Sequence, residues 1–267
     1  MFVDMHTHSK YSPDSACSIT DMASQQKNMG TAIFAVTDHF INTPYSKSTE
    51  SFDLIKSCFE EIDTLSIEGI EIIKGIEIGD MYLNKQETQS IIDKLNPDVV
   101  IGSVHVVPYK KLSHIHLMDF SSLTEEELNE FMHLYFETVY KNIRCGCDIL
   151  GHLTLPLRYL SAKFNIFIDL LPYEDQINKI LEYIVKNNIA LEINTSALKS
   201  GLKDFLPDKN IVKKYRDMGG ILITLASDAH IKENASYGFT EAKEMLASLG
   251  ITEAYYFKNR KPIKYVL

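Results

Sequence analysis

Seven short apolar runs recur along the chain, and each ends in or carries residues able to hold a metal ion or another polar group. The runs are Met1 to Val3, Ala32 to Val36, Ile70 to Ile76, Val99 to Ile101, Asp148 to Leu150, Ala190 to Asn194 and Ile221 to Leu225. In order they lead to His6 and His8, to Asp38 and His39, to Glu77, to His105, to His152, to Glu192 and Asn194, and to Asp228 and His230. Runs of this length read as strands, and the stretches between them carry apolar residues at helical spacing. Helices are expected over Ile19 to Met29, stopped by Gly30, and over Phe52 to Leu65, Gln86 to Leu95, Gln176 to Asn187, Ile211 to Met218 and Thr240 to Leu249. Thr124-Glu125-Glu126-Glu127 is a capping box that starts a further helix running to about Ile143. Strand and helix in alternation give a parallel sheet, and seven units suffice to curl it into a barrel. Barrel enzymes place their chemistry on the loops after the strands, which is where these polar residues fall.

Histidine spacing sharpens this reading. If the first run is a strand, His6 and His8 point to one face, and two imidazoles converge on one point. Imidazole suits borderline cations such as zinc, manganese or iron. A polar loop is expected through Asn42, Thr43 and Pro44, and a long irregular, substrate-binding stretch from Pro108 to Ser122. Ala254 to Phe257 either closes the sheet or packs outside it.

The 267 residues are 45% hydrophobic, enough for a large core in one domain spanning 1–267, and no low-complexity linker divides them. A net charge of -9 argues against a surface that grips nucleic acid and favours a small-molecule partner. No apolar run is long enough to span a bilayer and no secretory leader is evident, so a cytoplasmic setting is expected. Cys17, Cys58, Cys145 and Cys147 are then free thiols.

Taken together, Asp4-x-His6-x-His8-Ser9, Thr37-Asp38-His39, Gly75-Ile76-Glu77, Gly102-Ser103-Val104-His105, Gly151-His152 and Ser227-Asp228-Ala229-His230 resemble the motifs of the PHP (polymerase and histidinol phosphatase) family. The surrounding text is most similar to the histidinol-phosphate phosphatase branch: Ser9-Lys10-Tyr11-Ser12-Pro13-Asp14, Gly151-His152-Leu153 and Leu191-Glu192-Ile193-Asn194-Thr195. The resemblance implies a distorted seven-stranded (β/α)7 barrel and two to three divalent ions (Zn, Mn or Fe). It places one metal on His6, His8, Glu77 and Asp228, and a second on Glu77, His105 and His152. The third falls on Asp14, His39 and His230, with Asp14 replacing the histidine of other members. Such a set suits phosphomonoester hydrolysis, because divalent ions acidify water and neutralise phosphoryl oxygens.

The resemblance makes L-histidinol phosphate the expected substrate. Glu77, Asp228 and His230 are the expected catalytic groups, with Asp228 or His230 relaying the leaving-group proton. Arg158 resembles the phosphate-contacting arginine of the family, against the simpler reading of a surface ion pair. Glu192 and Asn194 share one strand face and are expected to contact the amine or imidazole of the substrate. Asp4 reads as a carboxylate that orients a histidine ring, and neither it nor Asp38 is assigned to a metal. His114 and His116 are solvated or line an entrance, and His133 is structural. Two alternatives remain, a phosphoesterase acting on nucleotides or other small phosphomonoesters and a binding module without catalysis. The oligomeric state is open.

Overall fold

The computed structural model describes residues 1–41 and 48–267, so the loop expected through Asn42, Thr43 and Pro44 lies outside the described residues. The chain opens with β1 (Phe2–Thr7), α1 (Ile19–Asn28), β2 (Thr31–Val36), β3 (His39–Ile41), α2 (Ser48–Thr64), β4 (Glu71–Gly79) and α3 (Lys85–Leu95). It continues with β5 (Val99–Ser103), a hairpin of β6 (Val106–Tyr109) and β7 (Lys111–His114), α4 (Glu125–Asn142), β8 (Ile149–Leu150) and α5 (Leu155–Phe164). Then come α6 (Glu174–Lys186), β9 (Ala190–Asn194), α7 (Lys209–Asp217), β10 (Ile223–Ala226), α8 (Phe239–Ser248) and a second hairpin, β11 (Glu253–Lys258) and β12 (Lys261–Val266).

Local chemistry accounts for the helix ends. Ser18 accepts the Asp21 N–H at the start of α1, and Gly30, at φ 81°, supplies the left-handed residue that follows the helix. At α4 the capping box closes in both directions, Glu127 N–H donating to Thr124 Oγ1 and Thr124 N–H to Glu127 Oε2. Each such cap is worth about 1 kcal/mol.

Among the described residues, seven strands pair in parallel in the order β1-β2-β4-β5-β8-β9-β10, and the short β3 adds an eighth, parallel to the end of β4. The ends approach each other where Asp228 N–H donates to the His6 carbonyl and His8 N–H to the Ala229 carbonyl, both at 2.9 Å, giving a nearly closed barrel. Alternate residues fill its interior: Val3 and Met5, Ile33 and Ala35, Ile73, Val99 and Ile101, Ile149, Ala190 and Leu222. The other faces, such as Phe34, Ile76, Ile78 and Val100, pack under the helices in a separate core.

The β11–β12 hairpin packs outside the sheet, which decides between the two alternatives. Its Ala254, Phe257 and Tyr265 join the interior cluster at the end where the strands begin, so the hairpin plugs that end and leaves the other open. Phe257 is 2% exposed there. Phe257→Ala is therefore expected to cost about 3–5 kcal/mol in urea unfolding, and a loss under 1 kcal/mol would show that the plug carries little of the core.

Two segments depart from expectation. The stretch from Pro108 to Ser122 is not irregular, since it contains most of the β6–β7 hairpin and two short 3₁₀ turns. Pro108 and the brevity of both strands hid the pairing, as proline is tolerated in such an edge position. Helix α5 had no expected counterpart, although Pro156 in its first turn is a start signal. Among the described residues no helix is long and apolar enough to cross a membrane.

Candidate metal centre

The open end of the barrel gathers the polar residues that follow the strands. On β4 the two-residue period that puts Ile73 inside also puts Glu77 inside, at the level of the mouth. After β2 the chain breaks at Thr37 and Asp38 and resumes as β3, which sets His39 directly opposite Glu77. A side chain on Gly79 would put its Cβ 2.8 Å from His105 Nδ1, so only glycine leaves room for that ring. His152 (φ 22°) and Asp228 (φ 52°) have left-handed backbone, the kind of strain that accumulates where function requires it.

Nine side chains converge here. His6 Nδ1–H donates to Glu192 Oε2 at 2.9 Å, which turns Nε2 toward the centre, 3.1 Å from His8 Nε2 and 3.2 Å from Glu77 Oε2. Asp228 Oδ1 lies 3.4 Å from His8 Nε2. The other Glu77 oxygen, Oε1, lies 3.0 Å from His152 Nε2 and 3.2 Å from His105 Nε2. Asp14 Oδ2 is 3.1 Å from His230 Nε2 and 3.3 Å from His39 Nε2.

These donors fit cations better than they fit one another. Glu77 Oε2 stands 2.8 Å from His39 Nδ1 and within 3.5 Å of both His6 and His8, yet takes no aligned hydrogen bond among the described residues. Facing imidazole nitrogens around a buried carboxylate are what a shared ion would organise. Among the described residues, four groups could each hold an ion: His8, Asp14, His39 and His230; His6, His8 and Asp228; His6, Glu77 and His152; and His39, Glu77 and His105. All nine residues expected to bind metal belong to at least one of them. The partition differs from that implied by the family resemblance, because His8 also stands with Asp14, His39 and His230, and His6 with His152.

Electrostatics point the same way. Burial opposes the charge on Glu77, but His39, His6 and His105 hold its carboxyl well below the usual range. Burial likewise opposes ionisation of Asp14, and the bonds from His230 and His39 overcome it. His39, despite burial, is pushed up to about 10 by Glu77 and Asp14. His8 is driven down by burial and by its neighbours His230 and His39. Imidazoles and carboxylates thus compensate one another in this cluster, and a bound cation would take the place of protons held on the imidazoles.

Arg158 sits in the first turn and a half of α5, where Nη1 donates to Asp228 Oδ2 (2.9 Å) and Ser196 Oγ (2.7 Å) and Nη2 to Tyr159 Oη (3.0 Å). It lines a cavity of about 710 Å³ over the mouth, with Asp14, Glu77, Asp228 and His230. His114, His116 and Lys163 form part of the same wall.

Glu192 and Asn194 are placed differently from expectation. Both are fully buried, and the strand face they share does point inward, but one layer below the cavity. Glu192 Oε1 accepts the His152 N–H and the Asn194 amide while Oε2 holds the His6 ring, so its acceptors are used to position two histidines. Asn194 in turn accepts from Ser196 N–H and Oγ. A substrate-reading role does not fit this placement. Asp4 is corrected in the same way, for among the described residues it makes no hydrogen bond to a histidine ring. It accepts from the backbone of His6 and Ser227 and from Gln26, tying β1 to the loop after β10 and to α1. Asp38 accepts from Ser9 N–H and Oγ, and His133 pairs with Gln176.

Asp80 was not anticipated. It follows β4 at φ 60°, lines the cavity, and its Oδ1 accepts the N–H groups of His105 and Val106. Burial pushes its carboxyl up to about 6 against the pull of His105. Its place three residues beyond Glu77 was the available signal.

Comparison with known proteins agrees with this architecture. The model of the PHP domain matches residues 4–196. A probable histidinol-phosphatase of Clostridium acetobutylicum is 30% identical, over 97% of this chain and 98% of its own. A probable histidinol-phosphatase of Thermotoga maritima is 31% identical, over 91% of both chains. Among solved structures, the histidinol phosphate phosphatase of Lactococcus lactis, in complex with zinc, L-histidinol and phosphate, superposes with a TM-score of 0.76 at 24% identity, covering 98% of each chain.

Proposed function

The chain belongs to the PHP family, and from that premise we propose that it is a metal-dependent phosphatase that hydrolyses L-histidinol phosphate to L-histidinol and phosphate. Residues 1–267 act as one metallophosphoesterase domain. The observation that carries the reading is the convergence of six histidines and three carboxylates on one mouth, beneath a cavity walled by Arg158. The histidinol-phosphatase relatives support the substrate, and a net charge of -9 favours a small phosphomonoester over nucleic acid or a membrane surface. Four free cysteines are in keeping with a cytoplasmic setting.

The donor set suits two to three divalent ions, zinc, manganese or iron, on His6, His8, Asp14, His39, Glu77, His105, His152, Asp228 and His230. Bound there, they would supply Lewis acidity toward the phosphoryl group and an acidified water. Glu77 presents one oxygen to each of two imidazole sets. Arg158, with part of its fork held by Asp228 and Ser196, offers its remaining N–H groups to the phosphate. His230 donates Nδ1–H to the Asp228 carbonyl at 3.0 Å, so Nε2 is the atom it turns toward Asp14: it holds an ion there or, when only two ions are bound elsewhere, carries the proton passed to the leaving alkoxide. Asp228 Oδ1 is the carboxylate alternative at the same wall.

A steady-state screen of phosphomonoesters with added zinc or manganese tests the proposal. Histidinol phosphate is expected to be preferred over p-nitrophenyl phosphate and nucleoside monophosphates, and a preference for a nucleotide would overturn the substrate assignment. Arg158→Ala is expected to lower kcat/KM about ten- to hundredfold, as for loss of a charge-assisted hydrogen bond. Unchanged constants would reduce Arg158 to a partner of Asp228.

A further inference from the structure

Displacing Glu192 and Asn194 from substrate contact leaves the amine of the proposed substrate without a partner, and the cavity wall supplies another. Four of its lining residues are carboxylates, Asp14, Glu77, Asp80 and Asp228. Three of them belong to the groups able to hold an ion, and Asp80 belongs to none. Asp80 is only 2% exposed, and its backbone is held left-handed at φ 60°. The His105 and Val106 N–H groups both fall on Oδ1 at 3.0 Å, which among the described residues leaves Oδ2 for a further donor. A buried carboxylate is costly unless its oxygens are matched by donors or charge. Arg158, Tyr159 and Lys163 enter the same cavity from α5, after β8, while Asp80 follows β4, with β5 between them. The cavity therefore has a cationic wall suited to phosphate and, one strand away from it, an acidic residue outside the ion-binding groups.

The geometry points to Asp80 as the specificity residue that pairs with the substrate's ammonium group through Oδ2, selecting small phosphomonoesters that carry a protonated amine. This rests on the phosphatase reading above and adds to it how the amine end is read. His114 and His116 share the wall, but an imidazole provides no anionic match for an ammonium. A site built to bind a charged amine discriminates chiefly by leaving its own buried group unpaired when the amine is missing.

The test uses the metal-loaded enzyme with two substrates, histidinol phosphate and 3-(imidazol-4-yl)propyl phosphate, which lacks the amine. Asp80→Asn keeps an acceptor for the two backbone N–H groups and removes the charge. The ratio of kcat/KM for the amine-bearing over the amine-free substrate is expected to fall about ten- to hundredfold, mainly through KM. A role confined to positioning His105 would slow both substrates in proportion, and an unchanged ratio overturns the proposal. If the variant does not fold, the parent decides. Histidinol is expected to inhibit it at least about tenfold more tightly than 3-(imidazol-4-yl)propanol, and equal inhibition overturns the proposal. A parent that hydrolyses other phosphomonoesters but not histidinol phosphate would instead refute the function proposed above.

Discussion

Glu77→Ala is expected to lower kcat by about a thousandfold or more and to reduce the divalent metal bound per chain. Its two oxygens face separate sets of imidazoles, with His152 and His105 on Oε1 and His39, His6 and His8 on Oε2. Removing it takes away the residue that, among the described residues, joins the His6–His152 and His39–His105 groups. Several kcal/mol of charge stabilisation is at stake in such a site, which corresponds to that factor. Metal analysis by emission spectroscopy beside steady-state kinetics checks both halves. Normal metal content in the variant would contradict the assignment.

The second large effect is expected at a residue that does not line the cavity. Glu192→Ala should weaken metal binding about ten- to hundredfold, as is typical when the partner of a metal-binding histidine is lost. Glu192 fixes the His6 ring through Nδ1 and the His152 backbone through its N–H, so both imidazoles lose their aim together. Activity on histidinol phosphate and on p-nitrophenyl phosphate should fall in parallel and recover in part with excess metal. A selective loss on histidinol phosphate would return Glu192 to the substrate. This behaviour also separates it from Asp80, whose expected signature is a change in substrate preference.

Much of the architecture was legible from residue order. Apolar runs of strand length, each ending in histidine or carboxylate, with amphipathic stretches between them, already imply a barrel with its chemistry at one mouth, because side-chain period and strand direction are local properties. His6, His8, His39, Glu77, His105, His152, Asp228 and His230 could be named on that basis, whereas Asp14 and Arg158 were implied only by the family resemblance. The helix starts at Ser18 and Thr124 were readable for the same reason, since a cap is decided within four residues.

Depth within the barrel was not readable. Period two tells which face of β9 Glu192 and Asn194 share, but not whether that level is the cavity floor or the layer beneath it, which depends on how far each neighbouring strand extends. Asp4 shows the same limit, for its partners Gln26 and Ser227 lie 22 and 223 residues away. The grouping of the nine candidate ligands, the pairing of Arg158 with Asp228 and the placing of Asp80 beside His105 likewise arise from strands distant in sequence. The sequence alone determined which residue types reach the mouth of the barrel. Only the tertiary structure decided which of them face the cavity and which stand behind to hold the others, because that depends on strand stagger and closure, which no local pattern encodes.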